Sequence, residues 1–353
     1  MLDLIDTKGK KDIKSMTLEE VTAEMTALGE KSFRAKQLYD WLHVKLAESF
    51  DDMSTLSKDL RQKLKENYSL TALQVAGERI SAIDGTRKYL FRLEDGNVIE
   101  SVWMQYHHGN SVCISSQVGC RMGCRFCAST LDGMERNLRP SEMLDQIYRI
   151  QTITGERVSN IVVMGSGEPM DNYDNVLRFL ELITSEDGLN ISQRNITIST
   201  CGIVPKIKEL AQKHLQITLA ISLHSPNDEM RRGLMPIAMK YSIDELLDAC
   251  HYYFKETNRR MTFEYSLVAG VNDQPVHAEE LAGRLKGFPC HVNLIPVNPI
   301  KERDFKQSMP KSVMEFKKIL EKNRVNVTIR REMGADINAA CGQLRRKKLQ
   351  SRL

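Results

Sequence analysis

The sequence contains no apolar run that approaches the roughly 18 residues which a membrane-spanning helix requires. Its first residues, Met-Leu-Asp-Leu-Ile-Asp, lack the basic and then apolar stretch of a secretory signal. Repeats of fixed length and low-complexity segments are also absent. We therefore expect a globular protein that stays in the cytoplasm. Its 353 residues, 41% of them hydrophobic, are enough for one large domain and a small one.

The chain also has little net charge, because 50 Lys and Arg residues oppose 46 Asp and Glu residues and leave only +4. A balance this small does not by itself indicate nucleic-acid binding. The basic residues nevertheless cluster near both ends, at Lys8, Lys10, Lys11 and Lys14 and at Arg345, Arg346, Lys347, Lys348 and Arg352. Such clusters can neutralise phosphates, or they can be solvated tails, and the sequence leaves both interpretations open.

Three of the eight cysteines lie close together, and their spacing is the most informative feature of the chain. Cys120, Cys124 and Cys127 form a C-x3-C-x2-C run, which can hold three corners of a [4Fe–4S] cube and leave the fourth iron open to a small chelating molecule. The alternatives are a structural zinc site and three buried thiols. Zinc normally needs four ligands in two pairs, and His107 and His108 lie too far upstream to be the second pair. We expect a metal protein in a reducing compartment without stable disulfides.

Residues 17–68 have a helical pattern and are predicted to form a small separate domain. Thr17 is predicted to cap the first helix, and Glu20 completes a capping box. A second helix carries Phe33, Leu38, Trp41 and Leu42, and a third is predicted over 54–64. From about residue 70 the pattern alternates around Asp95-Gly96 and predicts a β-hairpin.

Beyond residue 110 the chain alternates between apolar, β-branched segments and helical segments. The predicted strands are 112–115, 161–164, 196–200, 217–223, 262–268, 292–297 and 325–330. The predicted helices include 141–153, 176–183, 243–255, 276–286 and 311–321. About six such units predict an α/β fold with a parallel sheet, open or closed in part like a TIM barrel, and ligands at the carboxyl ends of the strands. The predicted domains are 1–70, helical; 71–105, a hairpin linker packed on the core; 106–335, the core; and 336–353, a C-terminal segment.

Polar residues follow several predicted strands directly. The glycines of Met164-Gly165-Ser166-Gly167-Glu168-Pro169 allow close approach of the backbone to a ligand, and Glu168 supplies an acceptor for an ammonium group. Ser199, Ser222-Leu223-His224 and Asn298 end later strands. Each could be an ordinary cap or turn residue, but their shared position favours a ligand site.

Several of these segments resemble known enzymes. The C-x3-C-x2-C run and the segment at 164–169 resemble the cluster motif and the "GGEP" segment of radical S-adenosylmethionine (SAM) enzymes. Four further segments are similar to the bacterial enzymes that methylate C2 of adenosine in 23S rRNA and tRNA: CISSQVGC at 113–120, LMPI at 234–237, LIPVNP at 294–299 and REMGADINAACGQL at 331–344. The match spans nearly the whole chain. Ser166 departs from the Met of many members, but this small position acts through its backbone, so little is put in doubt.

The resemblance implies a partial (βα)6 TIM-like barrel of the radical SAM type, with the N-terminal helical domain as an RNA-binding accessory module. It implies that Cys120, Cys124 and Cys127 hold one [4Fe–4S] cluster. The SAM contacts that it implies are Gly167, Glu168, Ser199, Ser222, Leu223, His224 and Asn298, with Glu168 on the amino group of SAM.

The implied chemistry is a radical route, because adenine C2 is an electron-poor carbon without a lone pair for ordinary methyl transfer. By resemblance, Cys341 takes a methyl from one SAM and becomes S-methylcysteine, and a second SAM is cleaved at the cluster. The deoxyadenosyl radical removes a hydrogen from the S-methyl group, and the carbon radical adds to C2. Cys113 then resolves the protein–RNA intermediate through a transient disulfide, and Glu100 is the proton acceptor. The structural alternatives are an exposed strand glutamate at 100 and buried thiols, as expected for Cys201, Cys250 and Cys290.

The implied partners are 23S rRNA, at one adenosine of the peptidyl-transferase centre, and tRNA, at the adenosine directly 3′ of the anticodon. An electron donor such as flavodoxin or ferredoxin is also implied, and nothing demands more than a monomer. The target base must leave its stack to reach a buried cluster, so recognition is expected to rest on RNA shape and an extruded adenosine.

Two rival functions remain open. The related C8-methyltransferase, which confers antibiotic resistance, shares the cluster and both catalytic cysteines, but Pro169 stands where that enzyme has Ala, and 294–299 is of the C2 type. A non-catalytic iron–sulfur RNA-binding protein would leave the open iron, Glu168 and Cys341 without a purpose.

Overall fold

The computed structural model describes residues 2, 4–6, 8–107, 109–300, 302–339 and 343, and the backbone of 347–348. Its helices are α1 (Leu18–Ala27), α2 (Phe33–His43), α3 (Lys58–Asn67), α4 (Pro140–Thr154), α5 (Tyr173–Thr184), α6 (Val204–Ala211), α7 (Asp228–Leu234), α8 (Ile243–Thr257), α9 (Pro275–Arg284) and α10 (Pro310–Lys322). Its strands are β1 (Lys11–Asp12), β2 (Tyr68–Ser69), β3 (Gln74–Ile80), β4 (Arg87–Arg92), β5 (Asn97–Tyr106), β6 (Gly109–Ile114), β7 (Gln117–Gly119), β8 (Met134–Asn137), β9 (Val158–Val163), β10 (Ile196–Thr200), β11 (Thr218–Ser222), β12 (Met261–Leu267), β13 (Cys290–Pro296), β14 (Asn326–Ile329) and β15 (Lys347–Lys348).

The N-terminal helices form as the sequence predicts. The Thr17 hydroxyl accepts from the Glu20 backbone N–H at 3.2 Å, and the Glu20 carboxylate accepts from the Thr17 N–H at 2.8 Å, so the predicted capping box is confirmed. The third helix begins later than residue 54, because Ser57 caps it by accepting from Leu60 N–H and residues 50–52 form a separate 3-10 turn.

Seven parallel strands make the core of an eleven-stranded sheet, in the order β14-β13-β12-β11-β10-β9-β6. They correspond to the seven predicted strands. Helices connect each of the six steps from β6 to β14, which confirms the partial (βα)6 barrel. The predicted helices are present as α4, α5, α8, α9 and α10, and the chain adds α6 and α7.

The two faces of this sheet differ because side chains alternate along each strand. Ile161, Val163 and Ile198 are fully or almost fully buried in the main hydrophobic core. The opposite face is polar, since Ser222 on β11 lies opposite Glu264 on β12 in the register. A barrel interior with hydroxyl and carboxylate groups near its upper edge is thus built into the strands.

The predicted hairpin is present, and it belongs to the same sheet as the core. β4 and β5 flank the Asp95-Gly96 turn, where Asn97 N–H donates to the Asp95 carboxylate at 3.0 Å. β5 pairs antiparallel with β6, and β3 extends the sheet beyond β4. Segment 71–105 is therefore hydrogen-bonded into the core sheet and does not merely pack on it. β15 returns the C-terminal segment to the first residues of β5.

No helix in the described part of the chain is both long enough and apolar enough to cross a membrane.

A buried ion pair fixes the N-terminal domain to the core. Lys14 Nζ lies 2.6 Å from the Asp145 carboxylate on α4, and the side chains are 1% and 3% exposed. The other Asp145 oxygen accepts from Leu73 N–H at 2.6 Å. Lys14 therefore fits neither a phosphate-binding cluster nor a solvated tail. Lys8, from the same N-terminal group of lysines, is exposed, and its Nζ lies 2.8 Å from the Glu94 carboxylate.

Replacing Lys14 by Met removes one partner of this buried pair and leaves the Asp145 carboxylate without its cation. We expect Lys14→Met to lower the free energy of unfolding by about 3–5 kcal/mol, measured by urea unfolding. Lys8→Met is the matched control and should change little, because its ion pair is open to solvent. Equal effects at the two lysines would contradict the structural role of the Lys14–Asp145 pair.

Candidate functional site

One cavity lies at the carboxyl ends of the parallel strands and gathers most of the predicted site residues. We call it the strand-end cavity. Of the predicted residues it is lined by Cys120, Cys124, Cys127, Gly167, Glu168, Ser199, Ser222, His224 and Asn298. Their convergence follows from the fold, because the carboxyl ends of parallel strands meet at one edge of the sheet.

The three cysteines lie on the loop between β7 and β8, a short hairpin that the sequence did not predict. Cys120 N–H donates to Gly133 O at 2.9 Å. Gly119 makes this approach possible, since its φ is +76° and a Cβ there would lie 2.0 Å from the Gly133 oxygen. The far side of the loop is fixed by the bond from Arg125 N–H to Leu234 O on α7, at 2.9 Å.

The environment of the thiols fits a metal cluster. Cys120 and Cys124 are buried, and burial raises the pKa of Cys120 to about 12 and that of Cys124 well above its usual range. A bound cation offsets this cost and releases the protons. Among the described residues, no three His, Cys, Asp or Glu side chains converge as ligands of a single ion. A [4Fe–4S] cube does not require that, because each thiolate binds a different iron.

The turn after β9 carries a buried carboxylate into the strand-end cavity. Gly167 has a φ of +109°, and a Cβ there would lie 2.6 Å from Gln117 Cβ, so only glycine fits. Glu168 accepts from Cys201 N–H at 2.7 Å and from Met170 N–H at 3.0 Å. Burial raises its pKa. A cationic ligand group would favour the ionised form, which suits a carboxylate that accepts from an ammonium.

Ser166, the departure from the family pattern, serves the same turn. Its carbonyl accepts from Ser116 and Gln117 N–H at 2.9 and 3.1 Å, and its hydroxyl lies 3.1 Å from that of Ser129. These bonds join the turn after β9 to the strand that leads into the cysteine loop.

His224 is a neutral hydrogen-bond donor toward the strand-end cavity. Ser266 N–H donates to Nδ1 at 2.9 Å, so the ring hydrogen lies on Nε2. Burial and the nearby charge of Arg231 lower the pKa of His224 to about 3. The ring meets Phe126 of the cysteine loop edge-on, with the centroids 4.6 Å apart.

Arg231 holds together the ends of two strands next to the strand-end cavity. The buried guanidinium donates to Cys201 O at 2.8 Å and to Ser222 O and Leu223 O at 3.2 Å, which ties the ends of β10 and β11. Leu223 itself does not line the cavity, since its side chain lies in the core and is 1% exposed. Only its backbone is at the rim, where its N–H donates to Glu264 O at 3.0 Å.

Two charged residues of the strand-end cavity, Glu264 and Arg330, were not predicted from the sequence. Glu264 on β12 is buried, and its carboxylate lies 3.5 Å from Arg330 Nη1 and accepts from Asn293 Nδ2 at 3.3 Å. Burial raises its pKa. A charged residue in the middle of an apolar strand was the available signal. Cys201 is buried as expected, but it lines this cavity beside Cys124.

Cys113 and Glu100 lie on a neighbouring part of the sheet, outside the strand-end cavity. Cys113 on β6 faces Val102 on β5 in the register and packs against the apolar cluster that contains Met333, Ile337 and Ala339. Glu100, two residues before Val102, shares that face of the sheet. It is completely buried, so the alternative interpretation of an exposed strand glutamate is wrong. Cys341 lies outside the described residues.

A second cavity adjoins the strand-end cavity, and we call it the side cavity. Met104 and Tyr106 of β5 line it together with Met333 and Ala339. It shares Ile295, Asn298 and Arg330 with the strand-end cavity. The cysteine loop and the segment that leads toward Cys341 therefore face adjoining spaces.

Family models match both parts of the chain. The model for the radical SAM superfamily matches residues 114–282, and the model for the ribosomal RNA large subunit methyltransferase N-terminal domain matches residues 11–70.

Relatives match over almost the whole length. A protein of Lachnospira eligens named "Probable dual-specificity RNA methyltransferase RlmN" is 67% identical over 336 residues, which is 95% of this chain and 96% of that protein. A protein of the same name from Clostridium perfringens (strain 13 / Type A) is 56% identical over 97% of this chain and 99% of its own length. The crystal structure of a radical SAM methyltransferase from Sphaerobacter thermophilus superposes with a TM-score of 0.91 at 43% identity, covering 94% of this chain and 98% of the other.

Changing Cys120, Cys124 or Cys127 singly to Ala should abolish iron binding, because two thiolates cannot hold a cube with one open iron. Iron content after anaerobic reconstitution measures this, and release of 5′-deoxyadenosine should be lost with the iron. Cys250→Ala is the matched control, since that buried thiol lies in the core on α8. Iron at the control level in any of the three variants would refute the assignment.

Proposed function

The chain belongs to the dual-specificity RNA methyltransferases named RlmN, within the radical SAM superfamily, and we propose that it methylates C2 of adenosine in both 23S rRNA and tRNA. One observation carries this proposal. The strand-end cavity, with its three cysteines and Glu168, adjoins the side cavity, whose wall includes the segment that packs on Cys113 and precedes Cys341.

Membership of the radical SAM superfamily implies a [4Fe–4S] cluster and SAM. Cys120, Cys124 and Cys127 would hold the cluster. Glu168 would accept a hydrogen bond from the SAM ammonium. The rest of SAM would be oriented by the Nε2–H of His224, the hydroxyls of Ser199 and Ser222, and the amide of Asn298. When bound, the two groups would supply a one-electron cleavage that activates a methyl group for radical addition.

Two thiols of the chain would divide the remaining work. Cys341 would carry the methyl group as S-methylcysteine, so that two SAM are consumed per turnover. After the carbon–carbon bond to adenine has formed, the Cys113 thiolate would attack the Cys341 sulfur and break its bond to the methylene. The electron pair of that bond passes to carbon, which takes a proton and becomes the new methyl group. A reductant must then restore both thiols.

Glu100 would accept the proton that C2 loses, and the one electron that the radical adduct must also give up would return to the [4Fe–4S] cluster. Its burial on the face that carries Cys113 supports this role, since a carboxylate there is shielded from water and lies on the same sheet face as the resolving thiol.

The RNA partners would present an extruded adenosine to the side cavity, and an electron donor such as flavodoxin or ferredoxin would reduce the cluster. The purified enzyme, incubated with SAM, reductant and each RNA, tests the function directly. Nuclease digestion and mass spectrometry should find the new methyl at adenine C2 in both RNAs. A methyl at C8 would favour the resistance enzyme, and no methyl in either RNA would refute the proposal.

Cys341→Ala should bind cluster and SAM but transfer no methyl to RNA, because the methyl has no carrier thiolate. Isotope-labelled SAM and recovery of the RNA measure the loss, and Cys290→Ala, a buried core residue, is the control. Label in the RNA at the control level would show that the two-step route is wrong.

Cys113→Ala should stall the reaction after the carbon–carbon bond has formed. Cys341 would remain joined through a methylene to adenine C2, so the purified variant should carry RNA that nuclease trims and denaturant does not remove. If Cys113 were only a packing residue, its loss would cost about 1 kcal/mol or more in stability and leave no adduct. Denaturing gels with and without nuclease distinguish these outcomes.

A further inference from the structure

A buried lysine connects the proposed proton acceptor to the segment that precedes Cys341. Lys88 on β4 is only 3% exposed. Its ammonium lies 3.4 Å from the Glu100 carboxylate and donates to the backbone carbonyl of Asn338 at 2.8 Å. Removing an ammonium from water is costly, and these two contacts offset part of that cost.

The register also places Lys88 on the same face of the sheet as the proposed resolving thiol, with Val102 between them. Lys88 on β4 pairs with Val102 on β5, and Val102 pairs with Cys113 on β6. Partners in register project to the same face of a sheet. Lys88, Glu100 and Cys113 therefore share one face across three neighbouring strands.

Asn338 belongs to a segment, residues 334–339, that is fastened to the turn between β3 and β4. The Asp336 carboxylate accepts from the Ser81 hydroxyl at 2.7 Å and from Ala82 N–H at 2.9 Å. Gly334 N–H donates to the Asp84 carboxylate at 2.9 Å. These contacts hold Gly334 and Asp336, whereas Lys88 holds Asn338, three residues before Cys341.

Gln343, a described residue that follows Cys341 in the sequence, also contacts the core. Gln343 is buried, and its side-chain amide lies 3.5 Å from Pro299 O, next to Asn298 of the strand-end cavity. Cys341 thus lies in sequence between Asn338 and Gln343, which are both hydrogen-bonded to the core. Of these two hydrogen bonds, the one from Lys88 to Asn338 is the shorter.

We propose that Lys88 is a positioning residue. It fixes segment 334–339, which precedes the proposed carrier thiol Cys341, and Glu100 relative to Cys113. Its ammonium has three donors and so can bond a carboxylate and a carbonyl together, which a neutral side chain of the same length cannot do. The proposal rests on the proposed function, because it assigns Lys88 to the step at which Cys341, the adenine and Glu100 must meet. A misplacement of about 1 Å at such a step can cost on the order of a hundredfold in rate.

Lys88→Met removes the charge and keeps the length of the side chain. Arg92→Met is the matched control, because Arg92 is an exposed cation on the same strand. Amide hydrogen exchange of residues 334–339 is measured on the purified proteins without RNA. We expect amide exchange at least about tenfold faster in Lys88→Met than in the control, since the hydrogen bond from Lys88 to the Asn338 carbonyl is lost. Unchanged exchange would overturn the proposal whatever the enzyme's activity.

Catalysis supplies the second measurement. In the Cys113→Ala background, Lys88→Met should lower the yield of covalent RNA adduct at least about tenfold, with iron content and 5′-deoxyadenosine release maintained. Adduct at the level of Cys113→Ala alone would overturn the positioning role. Failure of Cys113→Ala itself to form an adduct would instead count against the proposed function, and the exchange measurement would still decide on Lys88.

Discussion

Burial of polar groups at the carboxyl ends of the parallel strands is the constraint on which the rest of this structure depends. Two thiols, the Glu168 carboxylate and the His224 imidazole are buried in the wall of one cavity. Burial raises the pKa of the thiols and the carboxyl and lowers that of the imidazole, so each group is biased toward its neutral form. Backbone N–H groups hold the carboxylate and the imidazole in place, from Cys201 and Met170 to Glu168 and from Ser266 to His224. A cationic ligand and a metal cluster would offset the cost of ionising the buried carboxyl and thiols, and would thus favour their charged forms.

The continuity of the sheet is the second condition. If segment 71–105 were a separate linker, Glu100 and Cys113 would have no fixed relation. Antiparallel pairing of β4, β5 and β6 instead sets Lys88, Val102 and Cys113 in register and buries Glu100 on their face. The carboxyl ends of the parallel strands thus organise the strand-end cavity, and β5 of the antiparallel part contributes Met104 and Tyr106 to the side cavity. Ile295, Asn298 and Arg330 form the wall common to both.

Local sequence signals predicted the elements well and the long-range contacts poorly. The capping box at Thr17 and the strand at 196–200 depend on neighbouring residues and on alternation, so they could be predicted. The spacing of the three cysteines identified the loop because the cluster needs that spacing. Lys88 gives no local signal, since its meaning comes from Asn338, 250 residues later in the chain. Arg231 is similar, because its carbonyl partners lie at the ends of two separate strands.

The division of thiols between a strand and a held segment follows from the chemistry proposed for them. A resolving thiol acts once, on one sulfur, and gains from a rigid strand that keeps it in place. Cys113 forms the last pair of β6 with β5, opposite Val102, and it also pairs with Val162 on β9. A carrier thiol must meet a methyl donor first and an adenine afterwards, so a rigid strand would not serve it. Segment 334–339, which ends two residues before Cys341, lies outside the sheet and is held by the hydrogen bonds of Asp336 and of Lys88. It therefore differs from the strand that holds Cys113 in the way that the two proposed roles require.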